Sequence, residues 1–97
     1  MSHKASFSIQ NLSTEEIEEL LFQAEEHARD YIQKQIPPKE LKTLDIVIEY
    51  NSDELQIECV IDLELIKRSK HNPKKVTDEA IQKIFDLIEI ELQKRIS

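Results

Sequence analysis

Residues 43–65, TLDIVIEYNSDELQIECVIDLEL, contain the pattern that decides the fold. Apolar and polar side chains alternate on both sides of a short polar break, Asn51-Ser52-Asp53. Because successive side chains of a strand point to opposite faces, each half of this stretch predicts a strand with one apolar face and one acidic face. The polar break supplies the turn of a hairpin. The apolar face of this hairpin requires helices to cover it.

The acidic face of the predicted hairpin contains one apolar pair. Val47 and Val60 stand among carboxylates such as Glu49 and Glu58. One interpretation is a solvated face that discourages aggregation. The other is a docking face for a basic partner, with the two valines as its apolar centre. Acid–base catalysis is disfavoured, because an open sheet offers no pocket that would shift a pKa.

The segments before the hairpin predict a strand and a helix. Residues 4–10 alternate weakly and predict a short first strand, while residues 1–4 are expected to be disordered. Ser13 and Glu16 have the spacing of a capping box and predict the start of a helix. Pro37-Pro38 ends this helix, because the residue before a proline resists helical geometry.

A second helix is predicted after the hairpin, with Thr77 as its N-cap and with Val76 and Ile81 as a hydrophobic staple. The order is therefore β-α-β-β-α within a single domain, residues 1–97. Each helix has one apolar stripe, and a three-stranded antiparallel sheet with both helices on one face buries both stripes in an α+β fold. The stripes are Ile17, Leu20, Leu21, Ala24, Ala28, Tyr31 and Ile32 in the first helix and Ile81, Ile84, Phe85, Ile88 and Leu92 in the second.

Composition excludes several classes of function. The net charge of −7 disfavours broad nucleic-acid binding, which needs a surplus of Lys and Arg. The absence of glycine excludes dinucleotide-binding fingerprints and P-loops, whose backbone amides close on phosphate only at glycine. No apolar run approaches the ~20 residues of a membrane helix, and a single cysteine indicates a reducing compartment. We therefore expect a cytoplasmic protein without a membrane segment.

No catalytic arrangement is visible in the sequence. His3, His27, His71 and Cys59 are scattered, so no metal site is predicted, and Cys59 lies on the apolar strand face as a buried, inert thiol. No serine or cysteine is brought beside a base. The chain is expected to lack enzymatic activity and to need no cofactor.

Two features exceed what the small core requires. Phe22 lies about 120° from the centre of the first stripe, taking about 100° per residue. Leu87 and Ile90 lie outside the second stripe, with Ala80 beside Leu87. Single exposed apolar residues are common, but this combination predicts a partner surface.

A basic segment, residues 67–75, interrupts the acidic chain before the second helix. It is either a solvated linker or a contact for an anion such as an RNA backbone or an acidic protein patch. The segment lacks aromatic residues that could stack on bases, which disfavours sequence-specific RNA recognition. The candidate anion contacts are Lys67, Arg68, Lys70, Lys74 and Lys75.

Residues 12–17 (LSTEEI), 24–32 (AEEHARDYI) and 36–41 (IPPKEL), followed by 44–46 (LDI), resemble a family of small, otherwise uncharacterised archaeal proteins. That family is similar to the Pcc-type small subunit of KEOPS, the complex that installs threonylcarbamoyl on an adenosine of tRNAs that read ANN codons. The resemblance covers about residues 5–96 and shares the β-α-β-β-α order.

The resemblance implies a Pcc-like fifth subunit, the counterpart of the eukaryotic Gon-type subunit. Such a subunit is a non-catalytic interaction module that forms a homo- or heterodimer. Its expected partners are the Pcc-type subunit and, through it, the catalytic Kae-type subunit, so that the complex carries one catalytic unit rather than two. The acidic surface implies only weak or indirect contact with tRNA. The alternative function is a small RNA-binding protein that uses the basic segment.

Overall fold

The computed structural model describes residues 2–9 and 12–96, with the side chains of residues 4–9 and 12–94. Its elements follow in the order β1 (Ser2–Ser8), α1 (Thr14–Gln35), a 3₁₀ turn (Pro38–Glu40), β2 (Leu41–Asn51), β3 (Gln56–Leu65) and α2 (Pro73–Ile96). The predicted α+β fold is confirmed. The first strand begins earlier than predicted, because residues 2–4 pair with residues 60–62. The disorder expected of residues 1–4 is not found at residues 2–4, and residue 1 lies outside the described residues.

Strand β3 lies in the centre of the sheet, whose order is β1-β3-β2 with antiparallel pairing throughout. Its inward side chains are fully buried beneath the helices, and they are Ile57, Cys59, Ile61 and Leu63. Helix α1 packs over β2, whereas α2 packs over β3 and β1. The two helices also pack against each other and cover one face of the sheet. No element of the described residues covers the opposite face.

The turn between β2 and β3 is made without glycine. The Asn51 side-chain oxygen accepts hydrogen bonds from the backbone amides of Asp53, at 3.0 Å, and Glu54, at 3.2 Å. Leu55 then adopts a left-handed conformation, with φ of 52°, which costs a residue with a Cβ about 1–2 kcal/mol. Its carbonyl accepts a hydrogen bond from the Ile9 amide at 2.9 Å. The strained residue therefore links the hairpin to the end of β1.

The capping box of α1 is confirmed, because Ser13 and Glu16 bond reciprocally to each other's backbone amides. The predicted N-cap of α2 is wrong by five residues. Asn72 accepts hydrogen bonds from the Lys74 and Lys75 amides at 3.0 and 3.3 Å, as an N-cap does. Thr77 is instead buried inside the helix, where its hydroxyl donates to the Pro73 carbonyl at 2.9 Å. The expected staple is therefore absent from the start of α2.

Neither helix, over its described residues, combines the length and the apolarity that crossing a membrane requires.

Two isoleucines of α2 provide a matched test of this packing. Ile88 is 2% exposed and Ile90 is 53% exposed. We expect Ile88→Ala to lower the free energy of unfolding by about 2–5 kcal/mol, because it opens a cavity in the core. Ile90→Ala removes the same atoms from a solvated site and should cost about 0.5 kcal/mol or less. Urea unfolding measures both, and equal losses would contradict the burial described here.

Candidate protein-interaction surfaces

The open face of the sheet has an apolar centre. Val47 and Val60 lie directly opposite each other on β2 and β3, as the alternation predicts. Val47 is 47% exposed. Val60 is half-buried, because β3 is flanked on its other side by β1, where Lys4 is its partner. Only one of the two predicted valines is therefore strongly exposed.

Carboxylates flank this apolar pair on both sides. Asp45 lies opposite Asp62, and Glu49 lies opposite Glu58. Like charges that face each other across neighbouring strands destabilise a sheet. Among the described residues, no ion pair neutralises Asp45, Glu49 or Glu58. The open face consequently carries electrostatic repulsion that a cationic partner would relieve.

The helices expose two of the three predicted apolar residues. Phe22 is 61% exposed and Ile90 is 53% exposed, whereas Leu87 is half-buried and packs against the core. Ala80, which the sequence placed beside Leu87 outside the stripe, is fully buried. Because α2 packs against α1 as well as against the sheet, its buried side is wider than one apolar stripe indicates. Ala80 therefore belongs to the core, and Leu87 packs against the core as a partly buried residue.

The basic segment is anchored to the turn before β2. The Glu40 carbonyl accepts a hydrogen bond from the Ile66 amide at 2.9 Å, and the Glu40 carboxylate lies 3.2 Å from His71 Nδ1. A hydrogen bond with Ser69, together with the bond and charge of His71, holds the pKa of the Glu40 carboxyl below its usual range. A carboxylate is therefore fixed beside the basic segment.

All five candidate anion contacts are exposed, but they do not form one loop. Lys67, Arg68 and Lys70 precede the helix, whereas Lys74 and Lys75 lie in the first turn of α2. That turn contains no acidic residue, although the helix dipole favours negative charge there. These five side chains are all cationic, yet the carboxylate residue Glu40 lines the same surface depression as Arg68. A bound phosphate at this depression would meet a carboxylate.

A cleft among the described residues is lined mainly by apolar side chains. This cleft, of about 350 Å³, lies between β1 and α2, and Glu89 is the one ionisable residue among its described lining residues. The edge-to-face contact of Phe7 with Phe85, with ring centroids 4.3 Å apart, forms its apolar wall. Over the same part of the chain, no three His, Cys, Asp or Glu side chains are grouped as metal ligands.

One polar contact between the helices was not predicted. The Tyr31 hydroxyl donates a hydrogen bond to the Glu79 carboxylate, and Lys83 Nζ lies 5.6 Å from the centroid of the Tyr31 ring. The hydrogen bond is the main cause that raises the pKa of Tyr31 to about 12. The apolar stripe of α1 correctly predicted that the Tyr31 ring packs against the core. It contained no signal for the partner of the hydroxyl, which is 48 residues away in sequence.

Residues 9–91 match the family described as protein of unknown function, DUF3194. The chain belongs to the DUF3194 family. No curated protein matches it. A crystal structure from Thermococcus onnurineus NA1 superposes on this DUF3194 protein with a TM-score of 0.87 and 24% identity, over 99% of this chain and 96% of the other. That likeness shows the shared fold.

A second similar structure is the solution structure of the hypothetical protein mth677 from Methanothermobacter thermautotrophicus. It is 25% identical to this DUF3194 protein, with a TM-score of 0.74, over 91% of this chain and 97% of that one. Both similar chains are nearly the same length as this one. The shared fold therefore covers nearly the whole of both similar chains.

The thiol of this DUF3194 protein gives a test of the closed core. Cys59 is fully buried on β3, and burial raises the pKa of its thiol to about 11. Since the thiolate is the reactive form, we expect no reaction with a chromogenic disulfide reagent at pH 8 in the native state and one equivalent after denaturation. Cys59→Ala should give no signal in either state. Rapid labelling of the native protein would show that β3 is accessible.

Proposed function

We propose that this DUF3194 protein is a non-catalytic interaction subunit of the KEOPS complex. It pairs with the Pcc-type subunit and controls the oligomeric state of the complex during tRNA threonylcarbamoyladenosine modification. The residues quoted above that resemble the Pcc-like family support the identity of the complex. The structural observation that supports a binding role is the uncovered face of the sheet.

The uncovered face has the composition of a partner surface. Its centre is apolar, because Val47 is exposed beside Val60, and its surround is acidic, with Asp45 and Glu49 free of ion pairs to other described residues. Apolar centres with charged rims are typical of protein interfaces. If this protein replaces one of the two subunits of a Pcc-type homodimer, each complex would contain one Kae-type unit rather than two.

Co-expression with the Pcc-type and Kae-type subunits tests this function. We expect light scattering after size exclusion to give a one-to-one pair with the Pcc-type subunit and a larger complex that contains one Kae-type unit. Replacing Lys67, Arg68 and Lys70 by alanine should leave the pair intact, because these cations lie outside the open face. A Pcc-type subunit that stays a homodimer in excess DUF3194 protein would refute the proposal.

RNA binding is the second candidate function, and the cations in the first turn of α2 favour it. If all five basic side chains contact single-stranded phosphates, the log–log salt slope should reach about −3.5, taking about 0.7 per contact. We expect weak tRNA binding by the isolated chain, because Glu40 lines the same surface depression as Arg68. Fluorescence anisotropy with tRNA at several salt concentrations measures the slope. Submicromolar binding that is lost on neutralising the five would favour RNA binding instead.

A further inference from the structure

Strand β2 presents a long unpaired edge. It extends from Leu41 to Asn51 and pairs with β3 on one side, while no described strand covers the other side. The opposite edge strand, β1, has 7 residues against the 11 of β2. An edge strand offers backbone amides and carbonyls to another chain and is a template for strand addition.

The apolar layer under α1 is incomplete along this edge. The inward side chains of β2 include Leu44, Ile48 and Tyr50, which are half-buried, whereas the inward side chains of the central strand have no exposure at all. A strand placed beside β2 would continue the hydrogen-bond ladder and cover these three side chains. Backbone pairing and apolar burial would then act at the same edge.

Phe22 lies on the same side of the molecule. It is nine residues from Tyr31, or about 180° around α1 at about 100° per residue. Tyr31 faces α2 through its bond to Glu79, so Phe22 lies on the side of α1 away from α2. Because α1 packs over β2 and α2 over the other two strands, that side is the one beyond the β2 edge. The most exposed aromatic residue thus lies above the open edge.

The charge of β2 discriminates between partners. On the outward face, exposed Asp45 and Glu49 flank Val47. If a second copy paired antiparallel about Val47, Asp45 would face Glu49 directly. If the pairing centred on Ile46, which uses the whole strand, Asp45 would face Val47 and have both carboxylates of the other copy on its diagonals, about 7–8 Å away. Both arrangements place like charges close together.

If two copies paired in this way, attraction between opposite charges near the ends of β2 would offset the repulsion at its centre only weakly. Lys42 would approach the hairpin turn of the second copy, with its Asp53 and Glu54. Lys42 already lies 3.8 Å from Glu64, and contacts between exposed charges contribute little. The centre of the strand therefore decides the choice, and it disfavours self-pairing.

We propose that β2 accepts the edge strand of a different protein, one that presents Lys or Arg opposite Asp45 and Glu49 and an apolar side chain towards Phe22. The proposal rests on the proposed function only in taking the Pcc-type subunit as the first partner to test. The acidic strand selects a cationic strand, and the half-covered apolar layer makes the contact continuous with the core of the domain.

Amide hydrogen exchange of the full chain tests the proposal with the Pcc-type subunit. We expect alternate amides of β2 to gain protection while those at the outer edge of β1 do not. Asp45→Lys/Glu49→Lys should weaken binding at least about tenfold, since it brings like charges together. Asp86→Lys/Glu89→Lys changes the charge equally on exposed positions of α2 and should bind as the wild type does.

A second probe separates this inference from the proposed function. Two synthetic peptides of alternating sequence, one Lys-Val and one Glu-Val, are added to the labelled protein. We expect only the Lys-Val peptide to shift the resonances of the β2 amides and to protect these amides from hydrogen exchange. This result, without binding of the Pcc-type subunit, would support the edge assignment and refute the KEOPS role.

Three other outcomes overturn the edge assignment. One is binding of the Pcc-type subunit without protection of β2 and with equal affinity for both double variants, which would leave the proposed function standing. Another is protection of β2 in the free wild-type protein by self-association, which would replace the partner by a second copy. The third is protection of β2 by neither the Pcc-type subunit nor either peptide.

Discussion

Strand β3 pairs on both sides, and its inward row of side chains is the fully buried centre of the core. The row of Ile57, Cys59, Ile61 and Leu63 has no exposure, so any change of register by one residue would exchange it for the acidic row. Burying those carboxylates without partners would cost far more than the sheet gains. This single constraint sets the register of β1 and β2, the covered face, and the position of the acidic open face.

The period-two alternation of residues 43–65 predicted the hairpin and its two faces, because strand geometry leaves one arrangement that buries the apolar row. The strand order was not predictable from the same pattern. Alternation identifies the face of each side chain and carries no information on the neighbour of each strand. The open edge of β2 therefore became visible only in the structure.

The errors in α2 have physical causes too. Thr77 resembles an N-cap in sequence, but within a helix its hydroxyl can bond to a carbonyl one turn earlier, as it does here. The true N-cap is Asn72, which precedes Pro73. The sequence pattern placed it in the basic segment instead. Leu87 is half-buried rather than exposed, because the width of the buried side of a helix depends on the position of the second helix. The exposure of Phe22 and Ile90 was predicted from the apolar stripes alone, and both are exposed.

Binding surfaces lack the obligatory ligand spacing that identifies a metal or phosphate site. The arrangement of strands and helices establishes the fold of this DUF3194 protein, whereas its proposed partners are inferred from exposed groups. The acidic sheet face and the anchored basic segment favour different partners. The carboxylate of Glu40 beside the cations, and the apolar centre between the open-face acids, favour protein over nucleic acid.

The facing carboxylates of Glu49 and Glu58 have a thermodynamic consequence. Dissolved salt screens their repulsion, so moderate ionic strength should stabilise the free domain. The same ions screen the attraction between this face and a cationic partner, so they should weaken the complex. Folding and association thus respond to ionic strength with opposite signs. In the proposed complex the partner would supply the counter-charge, and binding would therefore stabilise the folded domain.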